Sequence, residues 1–340
     1  MSRVHYRHTM AKVINKPGQQ RQVWRPTVAG VAGMIVVGSS VGVSRTLIDM
    51  PLFTVQALRY AAAAVLLIVL ARWTGMRVPR PRGREWLWVC GVAAAGLVFF
   101  NVAVVRGVSH AEPAVIAVAV ACAPVLIGVF GPLLEGGRPT RRLVVAAVVV
   151  TAGGVLVVGA GRADLVGMGW AVVALLCEAG FTVLAVPVLR RLGPWGVSIH
   201  AVWIAAVAFA LAGVVVEGPA ATSRITPGNW AAIGYLAVMV TAVAFVLWYS
   251  AVAALGSGRA GLLTGVAPVA AAASGALLGA GLPAAPVWCG MVVVFCGLVL
   301  GLRGGPGRAA ERPLGVPGES PVIDAGEPER PAARAGTMDG

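Results

Sequence analysis

The chain has 340 residues and a net charge of +14, yet only 12% of its residues are charged and 58% are hydrophobic. Soluble domains carry roughly 25% charged residues, and half that fraction of charged residues is too small to cover a surface exposed to water. The composition therefore predicts an integral membrane protein. A basic chain could also bind nucleic acid, but its Lys and Arg residues stand in tails and short loops rather than on one folded face, so no nucleic-acid partner is expected.

Ten apolar segments are long enough to span a bilayer. About 20 apolar residues cross about 30 Å of hydrocarbon as a helix, and the segments are continuously apolar rather than alternating, which excludes a transmembrane β-barrel. The predicted fold class is an all-α integral membrane protein with ten transmembrane helices. Their approximate ranges are 27–46, 51–71, 86–105, 112–134, 143–161, 166–188, 196–216, 230–254, 260–279 and 285–303.

Positive charge is distributed unequally between the two sides of the predicted membrane. Most of the 27 Lys and Arg residues lie in the N-terminal tail 1–26, in the loops after the second, fourth, sixth and eighth segments, and in the C-terminal tail 304–340. Because Lys and Arg are retained on the cytoplasmic side, both termini are predicted to be cytoplasmic, in a multi-pass protein of the plasma membrane. The C-terminal tail has almost nothing to bury and is predicted to be disordered.

The sequence shows no metal site, cofactor site or catalytic constellation. The five Cys residues lie inside apolar runs, with no CxxC pair and no His at metal-ligand spacing. No phosphate loop, GxGxxG motif or HExxH motif occurs. With four His and few polar residues in the predicted helices, a nucleophile and its base are not evident. We therefore expect no metal, no cofactor and no enzymatic activity.

An internal repeat divides the chain into two halves. A shift of 144 residues aligns Ala-Pro-Val around Pro124 with Ala-Pro-Val around Pro268, and it also matches Gly131 with Gly275. Composition explains paired Pro and Gly poorly, so we predict two five-helix repeats, residues 27–161 and 162–303.

The two predicted repeats have opposite polarity. Five is an odd number, so the second repeat must enter the membrane from the other side. The charge pattern agrees with this reversal. The first repeat has Arg138, Arg141 and Arg142 after its fourth helix, and the equivalent positions of the second repeat carry no cation. Inverted repeats are the recurrent construction of secondary transporters, which expose a central site to each side in turn.

These features together resemble the EamA family of the drug/metabolite transporter superfamily. The resemblance covers residues 27–303 and rests on the two repeats, on Leu58-Arg59-Tyr60 in the second segment, on the paired Ala-Pro-Val and on Leu-Leu-Glu-Gly-Gly-Arg-Pro-Thr at 133–140. It implies a permease or exporter of small metabolites such as amino acids. In the family the ninth helix often ends in Glu, as the fourth does. Here Glu135 is matched by Gly279, so a role for a paired carboxylate is not expected. Glu135 is predicted to anchor a loop at the membrane interface, and a role in transport is the alternative.

Two charged residues lie inside predicted helices. Glu178 is roughly 18 Å into the sixth segment and Arg59 roughly 12 Å into the second, so the two could share a depth. A carboxylate at that depth normally faces a cavity or a partner. Glu178 is either a proton-coupling or cation-recognising group or a carboxylate that holds helices together. Arg59 is either a structural clasp or a substrate contact.

Further candidates for the site are helix breaks and polar side chains. Pro124 and Pro268 should interrupt the fourth and ninth helices and free backbone carbonyls that could bind a substrate. The other side chains expected to line a substrate cavity are Asn101, Thr241, Trp248 and Tyr249.

The sequence thus predicts a secondary transporter working by alternating access. Its substrate would be a small organic metabolite, such as an amino acid or a drug-like compound, and proton coupling is one option. The expected partners are this substrate and the lipid bilayer, and a homodimer is left open. A lipid-handling flippase and a passive channel are the alternatives, and an intramembrane enzyme is a weaker one.

Overall fold

The computed structural model describes residues 17–47, 49–277 and 283–303, without the side chains of residues 17–23 and Arg45. Within these residues the chain is helical and contains no β-strand, and nine helices are long and apolar enough to cross a membrane. The predicted tails lie largely outside the described residues, although the first helix already begins at Pro17. The helices, numbered in chain order, are α1 Pro17–Ser39, α2 Leu52–Trp73, α3 Glu85–Gly107, α4 Pro113–Leu134, α5 Arg141–Val158, α6 Leu165–Val183, α7 Val186–Val216, α8 Pro227–Leu255, α9 at 257–275 and α10 Ala285–Leu302.

Helix α9 is the predicted segment that does not qualify as a continuous span. It consists of Ser257–Leu262, a 3-10 turn Leu263–Gly265 and Val266–Gly275, and residues 278–282 after it are outside the described part of the chain. Helix α4 is broken in a similar way, because Pro113–Ala121 and Ala123–Leu134 meet at Cys122. The all-α membrane fold is therefore as predicted, and the count of ten spans holds approximately.

Helices α3 and α8 each contain a π-helical segment. In α3 the segment is Ala93–Phe99, and in α8 it is Leu236–Val243. The shift of 144 residues places one on the other, so both halves carry the same wide turn at the same position.

Helix α7 is also irregular: Gly193 adopts a φ of 68°, which favours glycine, and Pro194 follows it.

The core forms where helices of the first half pack against helices of the second. Helix α2 packs along α7, α5 along α10, and α1 against α8 and α9. The contact between α5 and α10 is close because Gly153 and Gly290 face each other, and a Cβ on Gly153 would lie 2.6 Å from the backbone nitrogen of Val294. Such small residues let transmembrane helices approach without side chains between them.

Candidate functional site

A polar network within the helices connects α2, α3 and α8. Its members, which we call the arginine network, are Gln56, Arg59 and Tyr60 of α2, Asn101 of α3 and Thr241 of α8. The Arg59 Nε donates to the Thr241 hydroxyl at 2.9 Å, and the Gln56 amide donates to Asn101 at 2.8 Å. The Asn101 amide donates in turn to the Tyr60 hydroxyl at 3.0 Å. Three helices from both halves thus meet at one set of polar side chains.

Local helix geometry explains why these side chains converge. Gln56 precedes Arg59 by three residues, which places the two on one face of α2, and the Arg59 Nη1 donates to Gln56 at 3.4 Å. Thr241 lies in the π-helical segment of α8, where its hydroxyl donates to the carbonyl of Leu236 at 3.1 Å. Because the hydroxyl hydrogen is used in this bond, the Thr241 oxygen acts as the acceptor for Arg59.

Arg59 retains hydrogen-bonding capacity after these contacts. A guanidinium has five N–H donors, and two of them are engaged by Thr241 and Gln56. The guanidinium also lies over the ring of Tyr60, 5.1 Å from its centroid. Among the residues that the structure describes, no carboxylate forms an ion pair with Arg59. Its remaining donors are available to an acidic or polar ligand.

A second group of side chains joins α6 to α8, and we call it the α6–α8 contact. The Trp248 indole donates to the Thr182 hydroxyl at 3.1 Å, and the Tyr249 hydroxyl donates to the Phe181 carbonyl at 3.0 Å. The Phe181 ring packs on Tyr249 with ring centroids 5.1 Å apart. All but Phe181 are buried. The polar atoms of Trp248 and Tyr249 are therefore engaged by α6, and these residues position α6 against α8.

Glu178 lies on the same face of α6 as Phe181 and Thr182. Its spacing of three and four residues from them places it on the side of α6 that contacts α8. Within the described residues Glu178 forms no hydrogen bond and no ion pair. Measured along the helices, Glu178 is roughly 20 Å from the start of α6, whereas Arg59 is roughly 11 Å from the start of α2. The two charges are not paired.

The two proline positions lie next to the irregular points of α4 and α9. The break at Cys122 precedes Pro124 by two residues, and the 3-10 turn ends three residues before Pro268. The hydroxyl of Thr264, in that turn, donates to the carbonyl of Gly261 at 2.8 Å. This hydrogen bond engages the Gly261 carbonyl, whereas the carbonyl that Pro268 frees is that of Thr264, four residues before it.

Sequence patterns alone did not single out Gln56, Thr182 or Glu217. Gln56 could have been found as a polar residue on the same helical face as Arg59. Glu217 follows α7 and accepts from the backbone of Phe53 and Thr54 at 2.9 and 2.8 Å, and from the Thr54 hydroxyl at 2.7 Å. It thereby caps the start of α2, a contact across 163 residues of chain that no local pattern reveals.

Among the residues that the structure describes, helices α4 and α9 pack closely at one end. At the end where α4 finishes and α9 begins, a Cβ on Gly131 would lie 2.8 Å from the Cβ of Ser257. At the other end, a Cβ on Gly275, the repeat counterpart of Gly131, would meet no atom of the described residues within 4 Å. Equivalent positions of the two halves thus have different surroundings.

Outside the helices, the α3–α4 and α5–α6 loops are joined by polar contacts. Asp164 accepts from the backbone of Gly167 at 2.7 Å and contacts His110 Nδ1 at 3.1 Å. These two hydrogen bonds hold the pKa of Asp164 below its ordinary value of 3.8, and the bond from Gly167 has the larger effect. Nearby, Arg162 and Glu112 form an exposed ion pair. In the described part of the chain, no three His, Cys, Asp or Glu residues are grouped so as to hold a metal ion.

Comparison with known proteins places the chain among transporters. The model of the EamA-like transporter family matches residues 26–159 and again residues 165–303. The uncharacterized transporter YetK of Bacillus subtilis (strain 168) is 26% identical over 253 residues, which are 72% of this chain and 76% of that protein. A protein known from a crystal structure shares the fold with a TM-score of 0.71 at 20% identity, over 81% of this chain and 95% of the other.

Proposed function

Because the chain belongs to the EamA-like transporter family and is a multi-pass membrane transporter, we propose that it moves a small organic metabolite across the plasma membrane by alternating access. The two five-helix repeats, residues 27–161 and 162–303, would rock about a central site, with both termini in the cytoplasm. The unequal packing of Gly131 and Gly275 supports such a cycle, because exchanging the two environments would close one side and open the other.

Arg59 is the proposed contact for the substrate. Its unengaged N–H donors suit an acidic group, and a guanidinium binds a carboxylate through two parallel hydrogen bonds. The arginine network holds Arg59 in place from Thr241 and Gln56. Asn101 and Tyr60 complete a polar surface beside it. An amino acid or another small metabolite with an acidic group is the substrate class that this surface favours.

Glu178 is the proposed coupling group, and its lack of a partner is the observation that carries this part of the proposal. An ionised carboxylate inside a membrane is costly unless it is paired. Within the described residues it has no partner, so it must take up a proton or a cationic group during the cycle. Transport is then driven by a proton gradient or by the exchange of a cation.

The test uses purified protein in liposomes with labelled amino acids, nucleosides and cationic drugs, with and without a proton gradient. We expect uptake of at least one compound, and we expect Glu178→Gln to abolish its dependence on the gradient. Glu112→Gln is the matched control, because Glu112 is an exposed carboxylate paired with Arg162 outside the helices. Unchanged gradient dependence in Glu178→Gln would refute the coupling role, and the absence of transport for every compound would refute the function.

A further inference from the structure

The closed end of the α4–α9 pair is held by a carboxylate. Glu135, directly after α4, accepts a hydrogen bond at 2.7 Å from the backbone N–H of Ser257, the first residue of α9. The first N–H groups of a helix have no partner inside the helix, and a negative charge is favourable beside them. Glu135 therefore joins the end of α4, in the first half, to the first turn of α9, in the second half.

The surface next to this hydrogen bond is closely packed. Ser257 is buried, and Gly258 and Gly261 of α9 face α4. A Cβ on Gly258 would lie 3.1 Å from the Pro132 ring, and one on Gly261 would lie 2.8 Å from the Cβ of Ile127. Opening this end therefore requires α4 and α9 to separate, and the Glu135 hydrogen bond must break when they do.

The same contact cannot form at the opposite end. The shift of 144 residues places Ser257 on Pro113 and Glu135 on Gly279. Proline has no N–H to donate, and position 279, which lies outside the described residues, carries no carboxylate. Both the donor and the acceptor of the contact are thus missing from the other half of the repeat.

We propose that Glu135 and the Ser257 N–H form a one-sided latch that holds this end of the transporter closed, so that the resting protein is open at the end of Gly275. On the predicted topology the latched end is cytoplasmic and the resting state faces outward. This inference rests on the alternating-access function proposed above. Glu217 also joins two helices, α2 and α7, but it is not a second latch. These helices pack against each other extensively, so they are not expected to separate when one end opens.

The latch should bias the equilibrium moderately. A carboxylate at a helix N-terminus favours the state in which it is bound by roughly twofold to tenfold, and a ligand with a larger preference for the other state can overcome this. The latch therefore sets which side is open at rest, without locking the protein.

Two introduced cysteines in the full-length chain can report on the two ends. In a background without the five native Cys, Ser257→Cys places a thiol in the closed end while keeping the backbone N–H, and Gly275→Cys places one in the open end. A membrane-impermeant thiol reagent is applied to each side of oriented vesicles. We expect Gly275→Cys to be labelled readily and Ser257→Cys slowly.

Glu135→Ala should reverse this pattern. We expect labelling of Ser257→Cys to rise roughly twofold to tenfold and labelling of Gly275→Cys to fall, with Glu135→Gln intermediate because its amide oxygen still accepts a hydrogen bond. Glu112→Ala, which removes a carboxylate of the same length from an exposed ion pair, should change neither rate. If Glu135→Ala is not recovered as folded protein, Glu135→Gln provides the same comparison.

Three results would overturn the latch. The first is an unlabelled Gly275→Cys in the parent protein. The second is no response of either cysteine to Glu135→Ala or Glu135→Gln. The third is a rise at Ser257→Cys without a fall at Gly275→Cys, which would mean that Glu135 caps a helix locally. Each of these can occur while liposomes still show transport, so failure of the latch is distinguishable from failure of the proposed function.

Discussion

A matched pair of glycine substitutions tests whether the two ends of the α4–α9 pair really differ in packing. Gly131→Ala adds a methyl group 2.8 Å from the Cβ of Ser257 and nearer still to its hydroxyl, whereas ordinary contact between carbon atoms is about 3.5–4.0 Å. The helices must therefore separate, and overpacking of this kind costs about 1–3 kcal/mol. The added methyl group of Gly275→Ala, at the equivalent position, meets no atom of the described residues within 4 Å.

The expected outcome is a loss of stability for Gly131→Ala and none for Gly275→Ala. The second variant should be neutral or gain up to about 1 kcal/mol, because alanine favours a helix over glycine. Thermal unfolding in detergent, followed by tryptophan fluorescence, compares the two. Removing the opposing side chain with Ser257→Gly should recover part of the loss in Gly131→Ala. Equal losses for both alanine variants, or no recovery in the double variant, would refute the packing argument.

Three further predictions concern contacts elsewhere in the molecule. Tyr249→Phe should lower stability by about 1–3 kcal/mol, because the partly buried carbonyl of Phe181 loses its donor; an unchanged unfolding temperature would contradict this. Glu217→Ala should cost about 0.5–2 kcal/mol, the usual range for a lost helix cap, measured by the same unfolding assay. Asp164→Ala should be less stable than the parent above pH 3.8, and the difference should shrink as the pH falls through the lowered pKa of Asp164, because its carboxylate stabilises the fold only while it is ionised. A difference that grew towards acid pH would show that the ionised form is not the one stabilised.

The fold was largely predictable because hydropathy determines it. Runs of about 20 apolar residues must be helices inside a bilayer, where every backbone group needs an internal partner. The repeat was visible because paired Pro and Gly are rare coincidences. The irregular points of α3 and α8 were not predictable, since a π-helical segment leaves no periodic signal in a uniformly apolar run. The broken form of α9 was indicated only by Pro268.

The sequence suggests candidate residues for a site, but it does not reveal the contacts that these residues make. Glu178 and Arg59 were identified because charge inside a membrane helix is costly. Their expected common depth did not lead to a pair, because the Arg59 side chain is held by Thr241, 182 residues away. Trp248 and Tyr249 are predicted to lie beside a substrate, and the sequence does not reveal that their polar atoms donate to α6. Such long-range partners depend on how helices rotate against each other, which a single sequence does not encode locally.

The matching π-helical segments of α3 and α8 set a rule for building chimeras of the two halves. Each segment adds a residue to its wide turn, and an extra or missing residue rotates everything after it by about 100°. A crossover placed before Val92 and Leu236, or after Phe99 and Val243, keeps both hybrid helices in register, because the residues of each pair are 144 positions apart. A crossover that carried only one of the two wide turns would rotate Trp248 and Tyr249 away from α6.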